Sequence, residues 1–132
     1  MATVTSYEAW FDTLGDDKDW NSQPGLYIQS ENGTGPMYAE LFCCSSDRDK
    51  DHWKDHTTTP RLKLNMKETL TKEELSSLFY HVTLQAKGDD KWEYTAHLEV
   101  TFSDGTKRYW RYDNQRLDSG GSQRVGNKYP LL

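Results

Sequence analysis

Six residues in the second half of the chain carry side chains that could bind one polar ligand together. A flat aromatic ring stacks on the apolar face of a sugar, while imidazole, carboxylate and guanidinium groups pair with its hydroxyls. Aromatic rings exposed on a polar surface are also typical of ligand sites. These residues are Phe79, His81, His97, Glu99, Tyr109 and Arg111. Because they are far apart in sequence, only the fold can bring them together.

Three predicted strands have to position these side chains. Residues 92–102 alternate between apolar and polar side chains without a break, which predicts a long strand with one buried face. Residues 78–86 alternate in the same way, and the segment 87–91, with Gly and Asp, predicts a hairpin loop between the two. Pairing Ala86 with Trp92 brings both apolar faces to the same side, so we predict this register.

A second hairpin follows the long strand, and its loop decides which residues lie opposite each other. A two-residue loop at 104–105 would place Leu98 opposite Arg111 and bury a charge. A three-residue loop with Gly105 in the left-handed conformation places Leu98 opposite Trp110 instead. We predict the three-residue loop because it buries rings and exposes charges.

The predicted outer face then has two rows of side chains across the three strands. The rows comprise, in order, His81, His97 and Arg111, and then Phe79, Glu99 and Tyr109. Directly opposed Cβ atoms lie about 4.5–5.5 Å apart, so neighbours within a row would touch. A solvated polar face is the commonest explanation of such rows, and a ligand patch is the alternative that the aromatic rings favour.

Metal binding and acid–base catalysis are the other chemistries that the two histidines could support. A zinc site at His81 and His97 has no obvious third and fourth ligand, so we predict no metal there. An acid–base pair drawn from these histidines and Glu99 is an enzymatic alternative. The sequence contains no phosphate-binding loop, dinucleotide fingerprint or nucleophile motif, so we predict no cofactor and favour a non-enzymatic protein.

A second candidate surface is the polar segment 45–59. Asp47, Asp49 and Asp51 place carboxylates at every second residue, as at the start of a calcium-binding loop. The glycine and the final glutamate that such a loop requires are missing, so these residues are weak candidates for a metal site. Trp53 is the hydrophobic anchor of this segment, and at an exposed loop tip it would be a ligand-binding residue.

Charge and cysteine content limit the partners and the compartment. The net charge is −5, and only a short basic cluster within 107–116 could meet phosphates, so nucleic-acid binding is disfavoured. No segment is apolar over the length of a membrane span, and the N-terminus lacks the pattern of a signal peptide. The two cysteines, Cys43 and Cys44, are adjacent and cannot build a disulfide framework. We therefore expect a soluble, cytoplasmic protein.

The N-terminal segment predicts a short amphipathic helix over residues 6–14. Large apolar residues follow at helical spacing after a capping-box pattern at Thr5. This stripe could cover one end of a β-domain or form a self-complementary homodimer interface. Its members are Tyr7, Trp10, Phe11 and Leu14. The layout of such a helix followed by a sandwich resembles that of fungal immunomodulatory proteins, a resemblance of layout that includes no residue motif.

The remaining patterns predict one β-rich domain over residues 1–132. Turn residues separate short strands near 26–29 and 37–44, which favours a hairpin. We also predict a strand at 62–66, a helical turn at 72–77 and a last strand near 124–131. The expected fold is an all-β antiparallel sandwich, immunoglobulin- or fibronectin-like, over residues 24–132, with a small β-barrel as the alternative.

The expected function is lectin-like, non-enzymatic recognition of a glycan on the exposed sheet face. One alternative is a protein-interaction or immunomodulatory module that dimerises through the N-terminal helix. The other is a small hydrolase or isomerase that uses the pair of histidines. The first function requires rings and polar groups on one face, the second requires the helix, and the third requires His81 and His97 in contact.

Overall fold

Two antiparallel β-sheets make up most of the described chain. The structure is a computed structural model that describes residues 2–14, 23–42, 56–85, 91–118 and 124–132. These residues form nine strands and one short helix, so the chain is mainly β, as the sequence predicts. The elements are β1 (Val4–Thr13), β2 (Gln23–Gln29), β3 (Ala39–Phe42), β4 (Leu62–Lys63), β5 (Asn65–Met66), α1 (Lys72–Leu75), β6 (Phe79–Gln85), β7 (Lys91–Phe102), β8 (Lys107–Asp118) and β9 (Arg124–Pro130).

The order of the strands in each sheet differs from their order along the chain. The first sheet has the order β4-β1-β7-β8, and the second has the order β5-β3-β2-β6-β9. Leu64 is buried between β4 and β5, where the chain passes from the first sheet to the second. The strand predicted at 62–66 therefore exists as two short pieces. The alternation of Leu62, Leu64 and Met66 predicts three inward side chains, but Met66 is exposed.

One hydrophobic core joins the buried faces of both sheets. Its largest side chains are aromatic, and each removes a large apolar area from water. The hydroxyls of Tyr94 in β7 and Tyr129 in β9 lie 2.8 Å apart and connect the two sheets by a hydrogen bond. In the first sheet, the indole nitrogen of Trp92 donates to the hydroxyl of Thr13 at 3.2 Å, so the polar edges of the rings also have partners.

The predicted N-terminal helix is wrong, because these residues form strand β1. Tyr7, Ala9, Phe11 and Thr13 are buried at alternate positions, and Ala9 pairs with Leu98 of β7. The helical prediction rests on the large apolar side chains and on the capping-box pattern at Thr5, so it misses the period of two that alanine and threonine complete. Without the helix, the chain no longer has the layout that resembles fungal immunomodulatory proteins.

The four residues of the predicted helical interface separate on this strand. Tyr7 and Phe11 are fully buried in the core. Trp10 points to the outer face of the first sheet, and Leu14, directly after the strand, is half-buried. A dimer interface formed by one helical stripe of these four side chains therefore has no structural basis.

The predicted pairing of residues 78–86 with residues 92–102 is also wrong. The first segment forms β6, which pairs with β2 and β9, whereas β7 pairs with β1 and β8. Matching apolar faces determined the predicted register, but β1 offers β7 an equally matched face, with Ala9 opposite Leu98 and Phe11 opposite Ala96. The hairpin loop predicted at 87–91 lies outside the described residues except for Lys91, which begins β7.

The hairpin between β7 and β8 confirms the predicted three-residue loop. Gly105 has a φ of +86°, and Leu98 lies opposite Trp110. Glycine adopts this left-handed conformation without the steric cost of a side chain. The structure also shows the predicted β2–β3 hairpin, the helical turn with its Thr71–Glu74 capping box, and the last strand. Among the described residues, no helix has the length and apolar character that crossing a bilayer requires.

We expect Tyr7→Phe and Tyr80→Phe to keep the fold and to stabilise it. Both hydroxyls are buried and have no hydrogen-bond partner among the described residues. An unpaired buried hydroxyl costs about 1–3 kcal/mol, so each substitution should raise the free energy of unfolding by about 1 kcal/mol. Urea denaturation would measure the change. Tyr94→Phe is the matched control and should be destabilising, because it removes a hydroxyl that bonds Tyr129; equal effects of all three substitutions would contradict this expectation.

Candidate functional site

Three nearly parallel rings meet on the outer face of the first sheet. Trp10 of β1 lies opposite His97 of β7, and Tyr109 of β8 lies opposite the next outward residue, Glu99. The Trp10 ring stacks on the His97 ring, with centroids 5.0 Å apart, and on the Tyr109 ring, with centroids 5.8 Å apart. We call Trp10, His97 and Tyr109 the ring cluster. Their outward direction follows from strand geometry, because successive side chains point to opposite faces.

His97 is held by a hydrogen bond at each ring nitrogen. Its Nε2 lies 2.7 Å from Asp12 Oδ2, and its Nδ1 bonds the hydroxyl of Tyr109. Thr58 donates to the other carboxylate oxygen of Asp12 at 2.7 Å. An ionised carboxylate only accepts, so Nε2 carries a proton, and a neutral imidazole accepts the Tyr109 proton at Nδ1. His97 is only 6% exposed, so these bonds satisfy a buried polar group.

The same contacts favour the ionised form of Asp12. Burial disfavours the charge, but the hydrogen bonds from His97 and Thr58 outweigh it and hold the pKa of Asp12 below its ordinary value of 3.8. The folded carboxyl group therefore binds a proton less readily than the unfolded one. As a result, Asp12 stabilises the fold above pH 3.8, and this contribution is lost as the pH falls through the pKa of the folded state.

We expect Asp12→Asn to weaken the dependence of stability on acid pH. The wild-type free energy of unfolding should fall as the pH drops from about 5 to about 2, partly because Asp12 becomes protonated. The variant lacks this carboxyl group, so its stability should fall less steeply, from a lower starting value. Urea denaturation at a series of pH values would measure both slopes. Glu68→Gln, which removes an exposed carboxyl group away from this site, is the matched control, and an unchanged slope in Asp12→Asn would contradict the expectation.

A guanidinium group lies over Trp10 and is held there by carboxylates. Arg61 Cζ is 4.1 Å from the centre of the Trp10 ring, within the range of a cation–π interaction. Its Nη1 pairs with Glu8 at 3.3 Å and with Glu99 at 3.1 Å, and Lys107 approaches Glu99 at 3.5 Å. Exposed ion pairs contribute little stability one by one, so the main consequence of this network is the position of Arg61.

Tyr109 is the part of the ring cluster that is most open to solvent. The residue is 52% exposed, although its hydroxyl is bound to His97. Partial burial raises the pKa of Tyr109, so the phenol is protonated at neutral pH. Arg111 lies directly opposite His97, is exposed, and donates to Asp113 at 2.6 Å. An exposed ring edged by charged groups is therefore the accessible surface of this site.

The structure brings together four of the six residues predicted for the ligand site. These are His97, Glu99, Tyr109 and Arg111. From the sequence we predict Trp10 at a helical interface and do not select Asp12 or Arg61. The alternation along β1 is the signal that identifies Trp10 and Asp12 as outward residues. No spacing identifies Arg61, because it reaches the ring cluster only through the pairing of β4 with β1.

The other two predicted residues, Phe79 and His81, lie on β6 in the second sheet. His81 donates from Nε2 to the backbone carbonyl of Ser30 at 2.8 Å. A groove of about 510 Å³ opens beside it, with a lining that includes Tyr27, Gln29, Met37, Glu40 and Thr83. His81 and His97 are both described, and they lie on different sheets, so the two histidines do not form a pair, and Glu99 shares its strand with His97 only.

The candidate metal ligands and one candidate ligand-binding residue lie outside the described residues, and their roles stay predictions. They are Asp47, Asp49, Asp51 and Trp53. The adjacent pair Cys43 and Cys44 also lies outside the described residues. Within the ranges that the structure does describe, no group of three or more His, Cys, Asp or Glu side chains is placed to hold one metal ion.

Comparisons with known proteins identify no family, relative or structural neighbour. No protein-family model matches the chain, and neither a curated protein nor a solved structure matches it. The function therefore has to be inferred from the geometry of the ring cluster and of the charged groups around it.

Proposed function

We propose that the chain is a non-enzymatic, lectin-like protein that binds a carbohydrate on the outer face of the first sheet. The observation that carries this proposal is the half-exposed ring of Tyr109, which is bound to His97 and through it to Asp12. A ring that is already held in one orientation loses little conformational entropy when a ligand binds. Tyr109 therefore has the properties of a preformed stacking platform.

Stacking on Tyr109 would accommodate the apolar side of a sugar. A pyranose ring presents a flat face of C–H groups, which packs on an aromatic face and removes both from water. Trp10 stacks beside Tyr109 and is itself covered by Arg61, so Tyr109 supplies the accessible ring surface. The proposed site therefore holds one sugar ring at Tyr109, with further rings extending over the neighbouring charged groups.

The charged groups around the ring suit a neutral ligand rich in hydroxyls. Acidic and basic side chains on this face are paired with each other, so the face has no strong preference for an anion or a cation. Sugar hydroxyls both donate and accept hydrogen bonds, so they can bridge such pairs. The paired groups are Glu8, Arg61, Glu99, Lys107, Arg111 and Asp113.

The two alternative functions have less support. A hydrolase or isomerase using His81 and His97 requires these residues in contact, and they lie on different sheets. A module that dimerises through an N-terminal helix requires a helix where β1 runs. Partial burial raises the pKa of Tyr109, so the phenol is protonated at neutral pH, and its hydrogen bond to His97 fixes the orientation of the ring.

We also propose a sandwich class for the fold and a cytoplasmic location. Two separately hydrogen-bonded sheets that share one core support a sandwich over the alternative of a small barrel. An immunoglobulin- or fibronectin-like topology stays a prediction. The cytoplasmic location is supported by the presence of only two cysteines, which are adjacent in sequence and unsuited to a disulfide framework.

A glycan-array screen of the purified chain tests the carbohydrate proposal. Wild type, Tyr109→Ala and Met66→Ala would each be screened with calcium and again with a chelator. Met66 is an exposed apolar residue of the second sheet, so its substitution is the matched control. We expect wild type and the control to capture the same glycans in both conditions, and Tyr109→Ala to lose them.

Three other outcomes of the screen would count against the proposed site. Capture only in the presence of calcium would favour the acidic segment with Asp47, Asp49 and Asp51 instead. Capture that survives Tyr109→Ala would exclude Tyr109 as the stacking platform. Absence of capture by a folded, monodisperse wild type would overturn the carbohydrate proposal itself.

A further inference from the structure

Strand β8 is the last strand of the first sheet, and no described strand pairs with its outer edge. Phe102 donates to the Thr106 carbonyl at 2.9 Å, so the backbone groups of Thr106 point towards β7. In an antiparallel pair these groups alternate in direction, so those of Arg108 and Trp110 are also hydrogen-bonded to β7. The residues between them point their backbone N–H and C=O groups away from the sheet. They are Lys107, Tyr109 and Arg111. An edge of this kind is a template for a further strand.

The regular part of this edge is short and has defined ends. It begins after the turn at 103–105 and ends at a bulge, where the register with β7 shifts and Asn114 has a φ of +53°. The regular edge therefore covers residues 107–113, with Trp110 at its centre. Because a bulge bends and twists the strand, a partner would pair with this stretch alone.

We propose that a second copy of the chain occupies this edge, with the two β8 strands antiparallel about a two-fold axis at Trp110. A strand that pairs with itself in this way forms an isologous interface, in which each contact is made twice. In this register, Lys107 lies opposite the partner's Asp113, and Tyr109 lies opposite the partner's Arg111. The first contact is an ion pair and the second is a cation–π pair.

Charge complementarity selects this register over its neighbours. The edge-facing residues have odd numbers, so backbone hydrogen bonding requires odd residues opposite odd residues. An axis at Tyr109 would place Lys107 opposite Arg111, and an axis at Arg111 would place two arginines together. Like charges directly opposite each other are destabilising in a sheet. Of these three registers, only the one centred on Trp110 avoids like charges and pairs the whole stretch 107–113.

Apolar side chains that are exposed at the same edge are a second observation in favour of a partner strand there. Tyr109 is 52% exposed and Leu132 is 80% exposed, and the indole nitrogen of Trp110 lies 3.4 Å from the Leu132 carbonyl oxygen. Pairing would add the partner strand in the plane of the sheet, so it would cover only the part of this surface that points along the edge and would leave the outer face, with both ring clusters, open. The inference does not rest on the carbohydrate proposal, because it depends on the edge of β8 and not on a ligand.

Complementary charge reversals test the proposed register. Lys107→Asp alone would oppose two aspartates at each end of the interface, and Asp113→Lys alone would oppose two lysines. We expect wild type to sediment as a dimer and each single variant to dissociate with a Kd raised by about tenfold to 100-fold. An equimolar mixture of the two variants should dimerise again, because each aspartate then meets a lysine. Native mass spectrometry would identify these mixed dimers.

The mixture distinguishes loss of pairing from loss of folding, since two misfolded chains would not restore a dimer. Lys63→Asp, on β4 at the opposite edge of the first sheet, is the matched control and should leave the dimer unchanged. A wild type that stays monomeric at high micromolar concentration would overturn the proposal. Single variants that dimerise as wild type does, or a mixture that remains monomeric, would also overturn it.

Discussion

Tyr109→Ala should weaken glycan binding by about 100-fold. Truncation of a central aromatic residue in a binding site costs about 2–3 kcal/mol, and Tyr109 supplies the exposed ring of this one. The fold should survive, because the side chain is half exposed and lies on an edge strand. Calorimetric titration with the strongest glycan from the array would measure the loss.

Tyr109→Phe separates the contribution of the ring from that of the hydroxyl. This variant keeps the stacking surface and removes the hydrogen bond to His97. A hydrogen bond contributes about 0.5–1.5 kcal/mol net, so we expect a loss of affinity of about tenfold or less. If phenylalanine and alanine weakened binding equally, stacking would not be the source of the affinity. Met66→Ala should bind as wild type does, which excludes a general effect of removing exposed apolar surface.

His97→Ala should lower the free energy of unfolding by about 3 kcal/mol. The substitution leaves the Asp12 carboxylate without its imidazole partner and removes the ring on which Trp10 stacks. It also opens a cavity at a position that is only 6% exposed, and the surrounding side chains would fill it only in part. Urea denaturation followed by tryptophan fluorescence would measure the change.

His81→Ala is the matched control for this prediction. His81 is half-buried on the second sheet and has a hydrogen bond to the Ser30 carbonyl, so its loss should cost about 1 kcal/mol. The two variants should also differ in glycan binding, because only His97 positions Tyr109. Equal loss of stability in both variants would show that the ring cluster does not support the fold as described. Equal loss of glycan affinity would show that His97 has no special role in the site.

The confirmed predictions concern features that a short stretch of sequence determines by itself. The alternation of residues 92–102 has no competing explanation, and β7 follows it. The two possible turns before β8 differ in whether Arg111 or Trp110 lies opposite the buried Leu98, and Gly105 supplies the left-handed residue that the turn with Trp110 needs. Such choices are reliable because one outcome buries a charge without a partner, which is strongly unfavourable.

The predictions that failed concern which strands become neighbours. The apolar face of β7 matches β1 and β6 equally well by pattern, and only the packing of the complete core decides between them. The N-terminal segment adds a second ambiguity, because Tyr7, Trp10 and Phe11 satisfy a helical stripe while Tyr7, Ala9 and Phe11 satisfy a strand. The segment forms a strand because it pairs with β7, which is distant in sequence.

The same limits explain how much of the candidate site was predictable. Residues on β7 and β8 could be grouped in advance because one short turn determines their register. Trp10 and Asp12 required the correct assignment of β1, and Arg61 required the pairing of β4 with β1 as well. The predicted site includes His81 only through the incorrect pairing of residues 78–86 with residues 92–102, and in the structure His81 lies on the other sheet.

An NMR titration of isotope-labelled wild type with the strongest array glycan tests the central claim most directly. We expect the largest changes in chemical shift at Tyr109, at His97 and at the indole N–H of Trp10. Signals from the groove on the second sheet, such as that of Thr83, should stay unchanged. Largest changes in that groove, or no changes on the outer face of the first sheet, would contradict the assignment of the carbohydrate site to the ring cluster.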